Sequence, residues 1–308
     1  MGDNTKIQKL IELCDELPEV NQSYIMNLNK STTTKIIYAY ELIRFNDYIR
    51  EYKNLNGATY KELTYDDIIE YFRINIEKGN RFNTIQRTRT ALNGWFNALN
   101  AVKAISGNPV CAGKTLETLF WETAGKDPKC VEKKDSVPEM TGFMDTVENG
   151  TDLSGIQKKY HEKYRCRDTA LISLILDTGI KISEVNELNI ENFDRNYSLV
   201  YTQKRAIKIK KETTERLEQY IDQYRVVSTE NGRSSPLFVT ADGSRLAVRS
   251  IQRILKKYSA AGNISQVVSA EKLREISAAN FYQETKDIQE LKERLGVKSM
   301  AAIEKYIK

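Results

Sequence analysis

Apolar residues recur every three to four positions along most of this chain and alternate with polar ones in only one short stretch. That pattern predicts a mainly helical protein with one small β-hairpin. Residues 5–17 put Ile7, Leu10, Ile11, Cys14 and Leu17 on one helical face, and Pro18 ends the run. Ser31-Thr32-Thr33-Thr34 reads as a helix start, after which Ile36, Ile37, Tyr40, Ile43 and Ile49 mark a long amphipathic helix ending near Asn54–Gly57. Thr64-Tyr65-Asp66-Asp67 caps the next helix, which runs to about Lys78 and stops at Gly79. A helix over about 84–100 buries Ile85, Leu92, Trp95, Phe96 and Leu99. Asn108-Pro109 closes this half of the chain.

The second half opens with an apolar helix from Arg167 to Leu176 that ends at Thr178-Gly179, followed by a shorter helix from Ile182 to Leu188. The period then switches to two. Leu199, Tyr201 and Gln203 lead into Lys204-Arg205, and Ile207 and Ile209 alternate with Lys208 and Lys210, which reads as a hairpin with a basic tip. Helices follow at about 212–225, 247–260, 271–283, 286–294 and 299–307. These elements divide the chain into an N-terminal amphipathic helix (1–25), a helical domain (26–110), a linker (111–137) with a short helix around Leu116–Trp121, and a second domain (138–308) of mixed α+β character.

Composition narrows the function classes. No apolar run approaches the roughly 20 residues that span a bilayer, and Met1-Gly2-Asp3-Asn4 lacks a signal core, so a cytoplasmic protein is expected. Cys14, Cys111, Cys130 and Cys166 are too widely spaced for a paired metal site. The single histidine, His161, lies in a polar stretch and reads as a solvated side chain. No metal and no cofactor are expected. The net charge of +5 permits a polyanionic partner.

The charges and amides are placed to suit one. At about 100° per residue, Gln86, Thr90, Asn93 and Asn97 fall in a narrow band opposite the buried stripe of their helix, flanked by Arg87 and Arg89. Amides read adenine edges and arginines hold phosphate or guanine. Lys204, Arg205 and Lys208 line the hairpin. Arg245 precedes a helix on which Arg249, Arg253, Lys256 and Lys257 recur near i, i+4, i+7, i+8. Each set alone matches an ordinary solvated face.

Five ordered motifs sharpen this: Thr178-Gly179-Ile180-Lys181-Ile182-Ser183-Glu184, Lys204, Glu271-Lys272-Leu273-Arg274, Leu295-Gly296-Val297, and Tyr306 nine residues after Val297. Their order and spacing resemble the tyrosine recombinases, the phage integrase family. The resemblance implies a two-domain clamp, with 26–110 as the helical core-binding domain and 138–308 as the catalytic fold. It assigns Tyr306 as nucleophile, Arg274 and Lys181 to the two arginine positions, and Lys204 to the hairpin lysine. Glu271 and Val297 stand where the family has histidines, and the glycines usual beside the hairpin lysine are absent.

The family's chemistry explains why these departures matter. A tyrosine oxygen attacks phosphorus, charge builds on the non-bridging oxygens, and a lysine protonates the departing 5′-oxygen. Lys181 keeps a charge but lacks a planar fork, and Val297 donates nothing. An ionised Glu271 would repel the phosphate by on the order of 4 kcal/mol at about 4 Å and an effective dielectric near 20, unless it pairs with Lys204 or Arg274 or is protonated by burial. Each lost donor costs about 10²–10³ in rate. The sequence therefore favours a sequence-specific duplex-DNA-binding regulator with a degenerate site, similar in kind to recombinase-fold repressors of SPβ-like prophages. The alternative is an atypical integrase or relaxase-like enzyme working through Tyr306. If the chain ends at Ile307-Lys308, the resemblance implies loss of the family's C-terminal subunit exchange, with the amphipathic helix around Ile7–Leu17 as a dimerisation element for a homo-oligomer on DNA or as part of its own domain.

Overall fold

In the computed structural model, residues 3–53, 60–110, 112–125, 137–225, 235–261 and 268–307 are described. Cys111, Cys130, the helix end at 54–57 and the charge cluster at 132–135 lie outside them. The chain separates into two compact units, Met1–Glu132 and Lys133–Lys308.

The first unit is helical: α1 (Asp3–Asp15), α2 (Glu19–Asn27), α3 (Thr32–Lys53), α4 (Tyr65–Glu77), α5 (Phe82–Ala101) and α6 (Gly113–Ala124). Its core centres on fully buried Trp95, whose ring meets Tyr60 edge-on at 4.5 Å and Phe45 at 6.3 Å. Thr64 and Asp67 form a reciprocal cap on α4, with both backbone amides answered by the other's side chain. The buried stripe expected for α5 is buried in full.

Several packing expectations need correction. In α1 the core takes Leu10, Leu13 and Cys14, with Leu17 just beyond, while Ile7 and Ile11 face solvent, because the helix lies along α3 on a rotated face. In α3 the core positions are Ala39, Leu42, Phe45 and Ile49, and Tyr40 is exposed. The stretch expected as linker contains α6, a full helix that buries Leu116, Leu119 and Phe120 in the same core. The N-terminal helix is likewise part of this core through α3.

The second unit contains α7 (Val137–Asn149), α8 (Gly155–Thr178), α9 (Ile182–Glu187), three short strands, α10 (Lys211–Gln219), α11 (Val248–Ala261), α12 (Ala270–Thr285), α13 (Ile288–Leu295) and α14 (Met300–Ile307). The strands β1 (Phe193–Asp194), β2 (Leu199–Tyr201) and β3 (Ala206–Lys208) form one antiparallel sheet in that order, with Val200 opposite Ile207. The result is the expected α+β class, mainly helical with a small sheet. The apolar C-terminal half of α8 runs through the centre, and the helix is packed by α10 and α12. His161 is buried rather than solvated; its Nε2 lies 2.9 Å from the Val147 carbonyl and its ring meets Tyr258 edge-on. No helix among the described residues is long and apolar enough to cross a membrane.

Candidate active site

The site begins at the end of α8. Thr178 bonds back to Leu174 O at 2.5 Å, and Gly179 takes a left-handed conformation at φ +62°. A side chain at Gly179 would put its Cβ 2.7 Å from Leu295 Cδ2 and 3.2 Å from Ser277 Oγ. Only glycine therefore lets this turn nest against α12 and α13. The turn delivers exposed Lys181 to the start of α9, where its backbone N–H donates to Glu184 Oε2 at 3.1 Å.

Arg274, on α12, is 2% exposed. Its Nη1 donates to the Gly179 carbonyl, its Nη2 to Leu295 O at 2.7 Å, and its Nε to the Tyr306 hydroxyl at 3.3 Å. Three of its five N–H groups are thus spent inside the protein. Tyr306 is itself buried, on α14, beside Leu291, Leu295 and Ile303. Its hydroxyl donates to Glu271 Oε1 at 3.0 Å. The Glu271 carboxylate thus accepts a hydrogen bond from the tyrosine. Glu271, Arg274 and Tyr306 therefore meet directly.

Lys181, Gln252, Lys256, Ser269, Glu271 and Arg274 line a cleft of about 510 Å³. Its ionisable lining consists of three cations and one carboxylate, which suits a phosphate approached from α11. Gln252 and Ser269 were not singled out from the sequence. Gln252 lies one turn from both Arg249 and Lys256, so the basic periodicity of that helix already pointed to its face. Lys204 lines an adjoining depression of about 300 Å³ that it shares with Lys181 and Glu184. Val297 packs beside the Tyr306 cluster and offers no donor.

The basic residues divide into exposed and committed groups. Arg249, Arg253 and Lys256 are exposed on α11. Lys257 is drawn inward, 3.1 Å from the fully buried Asp168 carboxylate, which also takes Arg167 and the Tyr258 hydroxyl. Burial and that carboxylate raise the Tyr258 phenol well above its ordinary value. The Arg245 fork is occupied by the carbonyls of Asn186 and Leu188 and by the Asn189 side chain. Lys208 Nζ bonds Tyr197 O at the sheet. Arg205 is 10% exposed and pairs with Glu184 at 2.7 Å. Burial pushes the Glu184 carboxyl up, but the Arg205 hydrogen bond, the Lys181 amide and the charges of Arg205 and Arg274 outweigh it and hold Glu184 below its usual range. Lys208 nevertheless remains exposed; the other commitments have one cause, because an arginine or lysine beside buried carbonyls or a carboxylate satisfies them before it reaches solvent.

On α5, Arg87 donates twice to the buried carboxylate of Glu41, at 3.2 and 3.0 Å, yet its side chain stays 45% exposed. Asn93 and Asn97 are engaged by the Asn108 amide at 2.9 and 2.7 Å, which ties down the chain leaving this helix. Thr90 is exposed and bonds back to Gln86 O. Gln86 and Arg89 are half-buried beside it. The exposed members of the expected band and its flank are therefore Arg87, Thr90 and Asn97, with Gln86 half-buried among them.

Comparison with known proteins follows the same lines. A model of the phage integrase family matches residues 143–308. The tyrosine recombinase XerC of Syntrophus aciditrophicus is 24% identical over 307 residues, covering 95% of this chain and 92% of that protein. XerD of Oceanobacillus iheyensis is 22% identical over 282 residues, covering 90% and 87%. Among solved structures, the Tn1549 transposon integrase in complex with circular intermediate DNA superposes with a TM-score of 0.73 at 16% identity, covering 96% of this chain and 95% of that one. The XerH recombinase bound to a palindromic difH substrate, a post-cleavage complex, gives 0.70 at 19% identity, covering 99% and 86%.

Proposed function

The chain belongs to the phage integrase family, and from that premise we propose that it cuts and rejoins duplex DNA through Tyr306. One observation carries this reading: the Tyr306 hydroxyl lies within hydrogen-bonding distance of both Arg274 and Glu271, two residues that line a cationic cleft. In the step proposed, the Tyr306 proton passes to Glu271 as the phenolate oxygen attacks phosphorus. A phosphotyrosine bond forms and the bond to the 5′-oxygen breaks. Lys204 supplies the proton that the departing 5′-oxygen takes up. Arg274 and Lys181 stabilise the charge on the non-bridging oxygens. Rejoining reverses each transfer. The named recombinases among its relatives, and the DNA-bound complexes among its structural neighbours, support this reading over the regulatory one that the sequence favoured.

A nicked suicide duplex tests it. The expected result is a covalent protein–DNA adduct that is lost in Tyr306→Phe; no adduct with the unaltered chain overturns the proposal. A second reading, a duplex-DNA-binding regulator of a prophage or mobile element, is favoured by the same site's departures. Lys181 lacks a fork, Val297 lacks a donor, and Glu271 brings negative charge to a phosphate site. Specific binding to a preferred duplex without adduct formation would establish that reading instead.

A further inference from the structure

Lys204 and Arg205 are adjacent in the hairpin, but their side chains have opposite fates. Lys204 is exposed, whereas Arg205 turns inward and joins three segments of chain. Its Nη1 and Nη2 grip the two oxygens of Glu184 at 2.7 and 3.3 Å, in the turn of α9 that also carries Lys181. Its Nε donates to the Arg294 carbonyl at 2.7 Å, at the end of α13. The next carbonyl, Leu295 O, accepts from Arg274. Consecutive carbonyls of one helix end are thus held by two arginines, just before the turn that leads into α14 and Tyr306. Gly296, at φ +63°, makes room: a Cβ there would stand 2.5 Å from Arg205 Nη1.

We propose that Arg205 is a positioning residue, tying the Lys204 hairpin, the α9 turn and the α13–α14 turn into one unit so that Lys204 and Tyr306 keep a fixed relation. The chemistry explains the residue type. A planar fork can serve a carboxylate through two nitrogens and a carbonyl through the third, while an ammonium group at the end of a flexible stem cannot hold all three acceptors in one geometry. The mechanical tie stands on the contacts alone; its catalytic consequence rests on the strand-transfer reading above.

Two measurements on the full chain test it, with Arg205→Lys and the milder Glu184→Gln. The first is amide hydrogen exchange. Protection should fall in residues 199–208 and in residues 297–306 together, while the α8 core at 170–175 keeps its protection. Loss confined to one segment, or to neither, overturns the tie. The second compares adduct formation on a suicide duplex with an ordinary 5′-oxygen and on one with a bridging 5′-sulfur. A thiolate leaves without needing a proton, so Lys204→Ala should be slow on oxygen and restored on sulfur. Arg205→Lys should slow the oxygen substrate by about 10²-fold, the usual penalty for a misplaced reacting group, and the sulfur substrate by at least tenfold less. Equal slowing on both overturns the positioning of Lys204. No adduct from the unaltered chain on either substrate defeats the strand-transfer reading, and the exchange data then decide the tie by themselves.

Discussion

In the proposed reaction, Glu271 would exert two opposed effects on one phosphate. As a carboxylate 3.0 Å from the Tyr306 oxygen it can take the proton that the nucleophile must lose. As a negative charge in a phosphate cleft it weakens binding, by a repulsion on the order of 4 kcal/mol at about 4 Å. Glu271→Gln separates the two. Single-turnover adduct formation should fall by about 10²–10⁴, the usual worth of a general base, while affinity for the uncleaved duplex holds or rises. A faster rate would mean that the carboxylate only obstructs. Glu184 yields a different kind of prediction. Its carboxyl is held below its ordinary value of 4.5 in the folded chain. Its stabilising contribution is then fully present above that value and is lost as pH falls through the depressed folded value. The melting temperature of Glu184→Gln should therefore lie below that of the unaltered chain at neutral pH, and the gap should narrow as pH falls below 4.5. A gap that stays constant with pH would remove the electrostatic account of the Arg205–Glu184 pair.

At the scale of elements, the turn from α8 into α9 carries the greatest constraint. Gly179→Ala meets both a left-handed backbone and a Cβ contact at 2.7 Å with Leu295. It should destabilise the second unit by about 1–3 kcal/mol, and it should also displace the Leu295 carbonyl that Arg274 uses. Adduct formation should consequently fall further than thermal stability alone explains; a loss of stability with normal adduct yield would show that the turn does not set Arg274. This turn was readable from the sequence, because Thr178-Gly179 follows an unbroken apolar helix. So were α4, α5 and α11–α14, where caps or strong amphipathic periods coincide with the observed elements. α2 and α7 were not anticipated. α2 begins directly after Pro18, which serves as its N-cap but also reads as a stop, and only Asn21 and Ile25 of its residues are buried. α6 did carry a signal, Leu116, Leu119 and Phe120 at helical spacing, but nearby glycines and charges made it look like a linker. In the site, motif order located Arg274 and Tyr306. It assigned Lys204 to the hairpin position but gave no sign that the adjacent Arg205 turns inward, since neighbouring basic residues look alike until the acceptors around each are known. Glu184 and the Arg294 carbonyl, 21 and 89 positions away, are the acceptors that draw Arg205 inward.

At the scale of the molecule, the proposed function would have DNA meet two faces of different chemistry, one on each unit. On α5, exposed Thr90, Asn97 and Arg87 and half-buried Gln86 are groups that can discriminate base edges. The outward part of α11 presents Arg249, Arg253 and Lys256, exposed cations beside the cleft, which suit phosphates. These contributions should separate in one titration series. Arg249→Ala with Arg253→Ala should weaken binding to all duplexes alike and reduce the slope of log K against log salt by about 2, roughly 0.9 for each phosphate that is no longer neutralised. Gln86→Ala should leave that slope unchanged and alter which duplexes are enriched from a random library, costing about 1–3 kcal/mol of discrimination at the base it reads. Arg245→Ala and Lys257→Ala provide the internal control. Both side chains are held by protein acceptors, so their removal should lower stability without changing the salt slope. If Gln86→Ala shifts the slope while enrichment stays the same, α5 grips backbone and specificity resides elsewhere; if Arg245→Ala shifts it as the α11 variants do, the division into committed and DNA-facing cations is wrong.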